Sequence, residues 1–363
     1  MFISASNLVY YLIERGLATA DSVVDGDWMV TESSRRNRNF KVLRRRHPGF
    51  FVKQIQQWDP QAIATLQSEA KCYWLALNSH AFSPLVPLLP HYYDFDPARY
   101  ILVLELLKEG EDLTEHHRRL NSFPPESARK LARALAAYHR IGPSQTNGEE
   151  AAFPKKIPWI LSVDQFTAGS FSAMSGGNSQ VVGIVQQHPE FHRHLQALRS
   201  EWRFESLIHG DLKWDNCVVE NGADGKESAI KIVDWELADW GDACWDLGAI
   251  LQAYLSFWIF SMPAAAEVPP AEMVKRAQYP VESMQPAIRA FWETYLEARQ
   301  IEKRDAAPML ERSVRSGAAR MIQTAYEYMY YSPQISANTL CLLQVSMNVL
   351  SRPQEAIGDL LGL

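Results

Sequence analysis

Between Leu207 and Gly248 the chain reads LIHGDLKWDNCVVE and then IKIVDWELADWGDACWDLG, and this stretch limits the available folds more than any other. His209-Gly210-Asp211 is followed by Asn216, giving H-x-D-x-x-x-x-N; Asp234 closes the apolar run Ile230 to Val233, and Asp246 follows inside WDLG. Moving a phosphoryl group onto a hydroxyl needs such a set. One carboxylate orients the hydroxyl and takes its proton late, while hard oxygen donors hold magnesium against the phosphates. On that chemistry Asp211 is the candidate base. Asn216 would ligate the metal through its amide oxygen, and Asp234 would add an anionic oxygen where a buried strand ends and the backbone is rigid. Lys213 either approaches the γ-phosphate or is a solvated loop lysine. His209 reads as structural, stacking in the core or bonding a buried acid such as Asp246. Asp239 and Asp242 read as turn caps before they read as ligands.

The first hundred residues predict a small β-rich lobe with one helix. Asp27 to Thr31, Phe40 to Arg44 and Phe50 to Gln54 are short apolar runs separated by polar turns, which fits three antiparallel strands. Asp59-Pro60 is a helix start, and Ile63, Leu66, Ala70, Tyr73, Trp74 and Leu77 supply its apolar stripe. Further strands are expected near Val86 to Tyr93 and at Tyr100 to Leu107. Lys53 lies in the third strand and Glu69 on the helix, sixteen residues later. Kinases place a strand lysine on the α/β-phosphates and hold it with a helix glutamate; taken alone, an unrelated strand lysine and solvated glutamate would look the same.

One usual part is missing. The loop Glu32 to Asn39 contains no glycine, although glycine is what lets backbone amides approach phosphates closely. Either Ser33, Ser34, their amides or Arg35 and Arg36 supply donors there, or the loop is a solvated basic turn. Backbone groups from Glu105 to Leu107 are the expected edge for the nucleotide base. The lobe boundary is placed at that point, giving a nucleotide-binding lobe over 1–107 and a helical catalytic and substrate lobe over 108–363.

Helices are expected after Ser122-Phe123-Pro124-Pro125, over Pro189 to Trp202, and near Val281 to Ala298, Ala307 to Tyr331 and Ser336 to Leu350. Residues 143 to 185 are the least regular stretch. His139 reads as a packed or bridging histidine. A net charge of -6 argues against a nucleic-acid partner. Four scattered cysteines without metal spacing, and a start lacking a basic n-region and cleavage site, predict a reduced cytoplasmic protein. The apolar patch around Ile250 to Met262 is broken by Gln252 and Ser256, so no membrane span is expected.

The two motif stretches resemble the aminoglycoside phosphotransferase and choline kinase family. Its pattern runs HGD-x-x-x-x-N, then a buried strand ending in D-W/F-E, then D-x-x-x-D-L-A/G. Asp242 through Asp246-Leu247-Gly248 matches the last element, and Trp235-Glu236 stands where protein kinases continue Phe-Gly. The resemblance implies an α+β, bilobal protein-kinase-like fold, with a small antiparallel sheet lobe and a larger, mainly helical lobe. It also implies ATP or GTP, Mg2+, and transfer to a hydroxyl of a small molecule such as an antibiotic, amino alcohol or sugar derivative. A kinase acting on Ser or Thr of a biosynthetic peptide, and a catalytically silent kinase-like binding protein, are the alternatives. From Ala264 onward eleven Asp and Glu face ten Lys and Arg, so no dominant acidic pocket for a polycation is visible. Tyr326, Tyr328, Tyr330 and Tyr331 with Trp292 would either wall a choline-like cation or belong to the core.

Overall fold

Alternation of apolar residues along the early strands gives a sheet with one greasy face. In the computed structural model, which describes residues 2–33, 37–146, 148, 153–166, 174–221, 227–263 and 270–363, helices α1 (Leu8–Glu14) and α2 (Ala20–Val24) precede strands β1 (Trp28–Glu32), β2 (Asn37–Arg44) and β3 (Gly49–Ile55). Helix α3 (Pro60–Asn78) follows, then β4 (Tyr92–Asp96) and β5 (Ile101–Leu106). These five strands form one antiparallel sheet in the order β1-β2-β3-β5-β4. Phe40, Val42, Phe50, Val52, Ile101 and Val103 share one face and pack with Leu8, Tyr11 and Leu12 of α1. Burying side chains of this size contributes roughly 1.5–3 kcal/mol each. Because strand residues alternate sides, Phe51 and Lys53 are left on the opposite face.

The remaining elements are β6 (Gly110–Asp112), α4 (Leu113–Leu120), α5 (Pro125–Tyr138), α6 (Gly176–Gln187), α7 (Pro189–Ser200), β7 (Ser206–Ile208), β8 (Cys217–Asn221), β9 (Glu227–Ile232) and β10 (Asp239–Gly241). Helices α8 (Ala243–Phe260), α9 (Pro270–Lys275), α10 (Gln285–Arg299), α11 (Lys303–Tyr328) and α12 (Ala337–Ser351) follow, and a short helix at Pro353–Glu355 runs into a π-helical turn at Ala356–Leu361. By packing, the chain forms two units, each drawn from separate stretches. The first takes Met1–Leu113, Gly148–Phe153 and Asp215–Ala238; the second takes Thr114–Asn147, Pro154–Trp214 and Asp239–Leu363.

The first unit adds to its main sheet a three-stranded sheet in the order β6-β8-β9. Asp59 caps α3 by accepting from the Ala62 amide at 2.8 Å. The strand expected from Val86 begins only at Tyr92. Before it, His80–Leu88 is a 3-10 helix, because Pro84 and Pro87 lack the amides a strand would use.

The second unit is mainly helical. Helix α5 packs on α10, and α11 packs on both α8 and α12. A two-stranded ribbon pairs β7 with β10, aligning Ile208 with Asp239. Helix α8 starts at Ala243, earlier than the apolar run read from Ile250. Among the described residues it is long and apolar enough to cross a membrane, but 89% of it is buried inside the protein, as in a core helix. The stretch expected to be irregular contains α6, whose Ser175 cap accepts from the Asn178 amide. All four cysteines are free, and Cys72, Cys217 and Cys244 are buried.

His117 on α4 is enclosed by Phe123, Trp214 and Tyr254, and its Nδ1–H donates to the Ser122 carbonyl at 3.2 Å. Burial, reinforced by the neighbouring His116, lowers its pKa to about 4 from an ordinary 6.5. Between those values the unfolded chain holds a proton that the folded chain refuses. This contribution is therefore fully present above about pH 6.5 and is lost as the pH falls toward about 4. The gap corresponds to about 3 kcal/mol at most. Urea midpoints measured across this window should fall with acid, and H117L should flatten that limb.

Candidate active site

In the first unit a buried lysine is held between two acids. Lys53, on the central strand β3, places Nζ 2.8 and 2.9 Å from the two Glu69 carboxylate oxygens and 2.7 Å from Asp234 Oδ1. Glu69 on α3 is fully buried, whereas the Asp234 side chain remains 34% exposed. Burial alone would discharge Lys53, but the two carboxylates outweigh it and raise its pKa, so the ammonium stays charged. Burial and Asp234 together push the Glu69 carboxyl up against the pull of Lys53.

Asp234 adopts a left-handed backbone, φ 67° and ψ 51°, which costs on the order of 1 kcal/mol or more for a residue with a side chain. The conformation turns the chain sharply out of β9. Trp235 anchors the turn by donating from its buried indole to the Ile232 carbonyl at 2.9 Å. Cys217 pairs with Ile232, and the Val233 amide donates to the Asn216 carbonyl at 2.9 Å. Asn216 and Asp234 therefore flank the same end of the β8–β9 hairpin.

The other residues proposed for the nucleotide lie elsewhere in this unit. Ser33 is exposed just beyond β1, where its amide donates to the Asn39 carbonyl at 2.8 Å. Ser34 lies outside the described residues, as do Arg35 and Arg36. Glu105 commits its amide to the His91 carbonyl at 2.8 Å, and Leu107 accepts from the Gly110 amide at 3.3 Å. Both border an open cavity of about 490 Å³, together with Arg45 to Gly49, Lys108 and Glu220.

In the second unit the base candidate is gripped on both oxygens. Lys213 Nζ lies 3.1 Å from Asp211 Oδ2, and Arg320 Nη2 lies 3.1 Å from Oδ1. Burial would raise the Asp211 pKa, but Arg320, Lys213 and His209 together bring it below the ordinary value. The two cations therefore favour the charged form of this carboxylate. Arg320, on α11 and 2% exposed, was not singled out from the sequence. The available signal was one cation inside the small and apolar run SGAARMIQTAY.

Asp246 shapes the loop that carries Asp211. Fully buried, its carboxylate accepts from the His209 amide at 2.7 Å, the Tyr138 hydroxyl at 2.8 Å, the Gly210 amide at 3.2 Å and His139 Nε2 at 3.3 Å. His209 thus meets Asp246 through its backbone, and the imidazole on that acid belongs to His139. Burial lowers the His139 pKa. A neutral ring donating to Asp246 and accepting from the Tyr295 hydroxyl at Nδ1 fits these contacts. Gly210, at φ +80°, permits the turn, and the Trp245 indole donates to its carbonyl at 3.0 Å. Asp242 caps α8 and pairs with Arg312, while Asp239 accepts from the Lys155, Lys156 and Trp240 amides.

Of the two readings for these aromatics, the wall does not assemble, and the core reading holds for Trp292. Trp292 is buried and stacks on Tyr295, Tyr326 meets Trp159, and Tyr328, Tyr330 and Tyr331 are exposed.

The α+β architecture is that of kinase-like proteins. Solved structures sharing it include choline kinase from Cryptosporidium parvum Iowa II, at 14% identity, covering 97% of this chain and 96% of that one, with a TM-score of 0.54. Macrolide 2'-phosphotransferase type I matches at 16% identity over 96% of this chain and 98% of that one, with a TM-score of 0.50. The GDP complex of wild-type aminoglycoside 2'-phosphotransferase-IIIa matches at 15% identity over 88% and 92%, also with a TM-score of 0.50. Comparison of the sequence with curated proteins gave no match. The model of the phosphotransferase enzyme family matches residues 29–278, more than half of the chain, and the protein belongs to that family. It is a phosphotransferase.

Two substitutions test how the loop is held. D246A removes the acceptor of three buried donors and of the part-buried Gly210 amide and should cost at least about 1–3 kcal/mol, read by urea unfolding. At Gly248 an added Cβ would lie 2.5 Å from both the Gly317 amide nitrogen and the Ser313 carbonyl oxygen. G248A should therefore force α8 and α11 apart and cost about 1–3 kcal/mol in the same measurement.

Proposed function

We propose that this protein transfers the γ-phosphoryl group of ATP or GTP, with Mg2+, to a hydroxyl of a small molecule. The observation that carries the reading is Asp211: a partly buried carboxylate kept charged by two cations in a protein of this family. Asp211 would orient the acceptor hydroxyl and take its proton. Lys53, steadied by Glu69, would meet the nucleotide phosphates. The Lys213 ammonium would bridge the base to charge developing on the transferred group.

Magnesium fits the donors present. Among the described residues no three His, Cys, Asp or Glu side chains gather into a metal cage. Asn216 and Asp234 instead supply a sparse pair of hard oxygens, the kind of set on which magnesium sits with phosphate oxygens and water. When bound, the metal would neutralise charge on the phosphates. Asp234 would hold it from a stiff turn while also pairing with Lys53.

The acceptor beside Asp211 is better neutral or anionic than polycationic. Two cations already sit on the base, and the tyrosines that would wall a quaternary ammonium are dispersed. A reduced cytoplasmic setting accords with four free cysteines.

A panel of hydroxyl compounds incubated with Mg-ATP, or Mg-GTP, tests this reading through the mass gain of one phosphoryl group. Turnover should fall by about 10²–10⁴-fold in D211N. In D234N it should fall most at limiting magnesium and recover in part as magnesium is raised. D211N turning over like the unaltered protein would remove Asp211 from the base role.

A further inference from the structure

Arg320 is an expensive residue where it stands. Helix α11 buries Val314, Gly317, Ala318, Met321, Ile322 and Ala325, and a charge on that face carries a desolvation cost of several kcal/mol. Its compensation within the protein is incomplete. Nη2 reaches Asp211 Oδ1 at 3.1 Å and the Leu212 carbonyl at 3.4 Å, and the guanidinium carbon stands 5.6 Å from the centre of the Trp245 ring. Nε and Nη1 are buried without a protein partner among the described residues.

What the arginine does provide is one charged donor held in a fixed place. Its position follows from the helix crossing, since Gly317 lies one turn earlier, in backbone contact with Gly248. Trp245, which lies beside the guanidinium, also bonds the Gly210 carbonyl just before the base. Lys213, the other cation on Asp211, is 35% exposed on a flexible stem and also feels Glu327. One contact is rigid and the other can move.

We infer that Arg320 is a positioning residue that sets the orientation of the Asp211 carboxylate for the transfer step. The inference rests on the reading of Asp211 as the base. A displacement of about 1 Å in such a group is enough to cost about 100-fold in rate.

The test is a cycle of R320M, R320K, D211N and the D211N/R320M double variant. The readouts are kcat and KM for Mg-ATP turnover, with water or a hydroxyl compound as acceptor, and the melting temperature of each protein. R320M should lower kcat by about 100-fold while KM for ATP changes less than about twofold, and R320K should recover part of the loss. In the D211N background R320M should cost nothing further, because Arg320 acts only through Asp211. An additive loss in the double variant, with no rescue by lysine, would mark a role in packing alone and overturn the inference. D211N inactive but R320M fully active would overturn it while leaving Asp211 as base. D211N fully active would overturn both. Should R320M not fold, R320K decides: lowered kcat at an unchanged melting temperature supports the inference, and unchanged kcat sinks it.

Discussion

A carboxylate sealed from water has to be met on nearly every lone pair, and Asp246 meets that demand by taking amides from the segment just before Asp211. Its charge therefore becomes a constraint on backbone. His209 and Gly210 are tied down, Tyr138 and His139 of the α5 end are drawn to the same oxygen, and Tyr295 of α10 is added through His139. Asp246 carries no chemistry of its own in the proposed reaction. Its effect is to tie the loop bearing Asp211 to the buried ends of α5 and α8.

The first unit solves a related problem differently. There the buried charge is a cation, and its neutralisation is divided between Glu69, fully enclosed, and Asp234, partly open. The division leaves Asp234 a carboxylate with solvent on one side and a strained turn beneath it. Charge balance inside the unit is thereby shared with a carboxylate that still faces solvent.

Much of this could be read from residue order because the constraints are local. The strand alternation, the Asp59-Pro60 start and the closing of β9 at Asp234 are short-range patterns, and the sixteen-residue gap from Lys53 to Glu69 spans one strand end and part of one helix. Other features were hidden for physical reasons. The 3-10 segment before β4 turned on Pro84 and Pro87 removing amides from a run whose hydrophobicity suited a strand. Helix α6 begins with Gly176-Gly177, which reads as loop, yet the Gly177 amide is taken up by the Ser332 carbonyl from a distant part of the chain. Arg320 and the His139 contact to Asp246 arise from pairings more than a hundred residues apart, and no periodicity announces them.

The Gly248–Gly317 contact divides α11 into two parts with different tolerances. Near the crossing, backbone rests on backbone, and any enlargement is transmitted to Arg320 within one turn. Tyr328, at the far end of the helix, is 59% exposed and lies eight residues beyond Arg320, about 12 Å along the axis. Substitutions separated by more than about 7–10 Å combine additively. The outer end of this helix can thus be altered without disturbing the arginine that contacts Asp211.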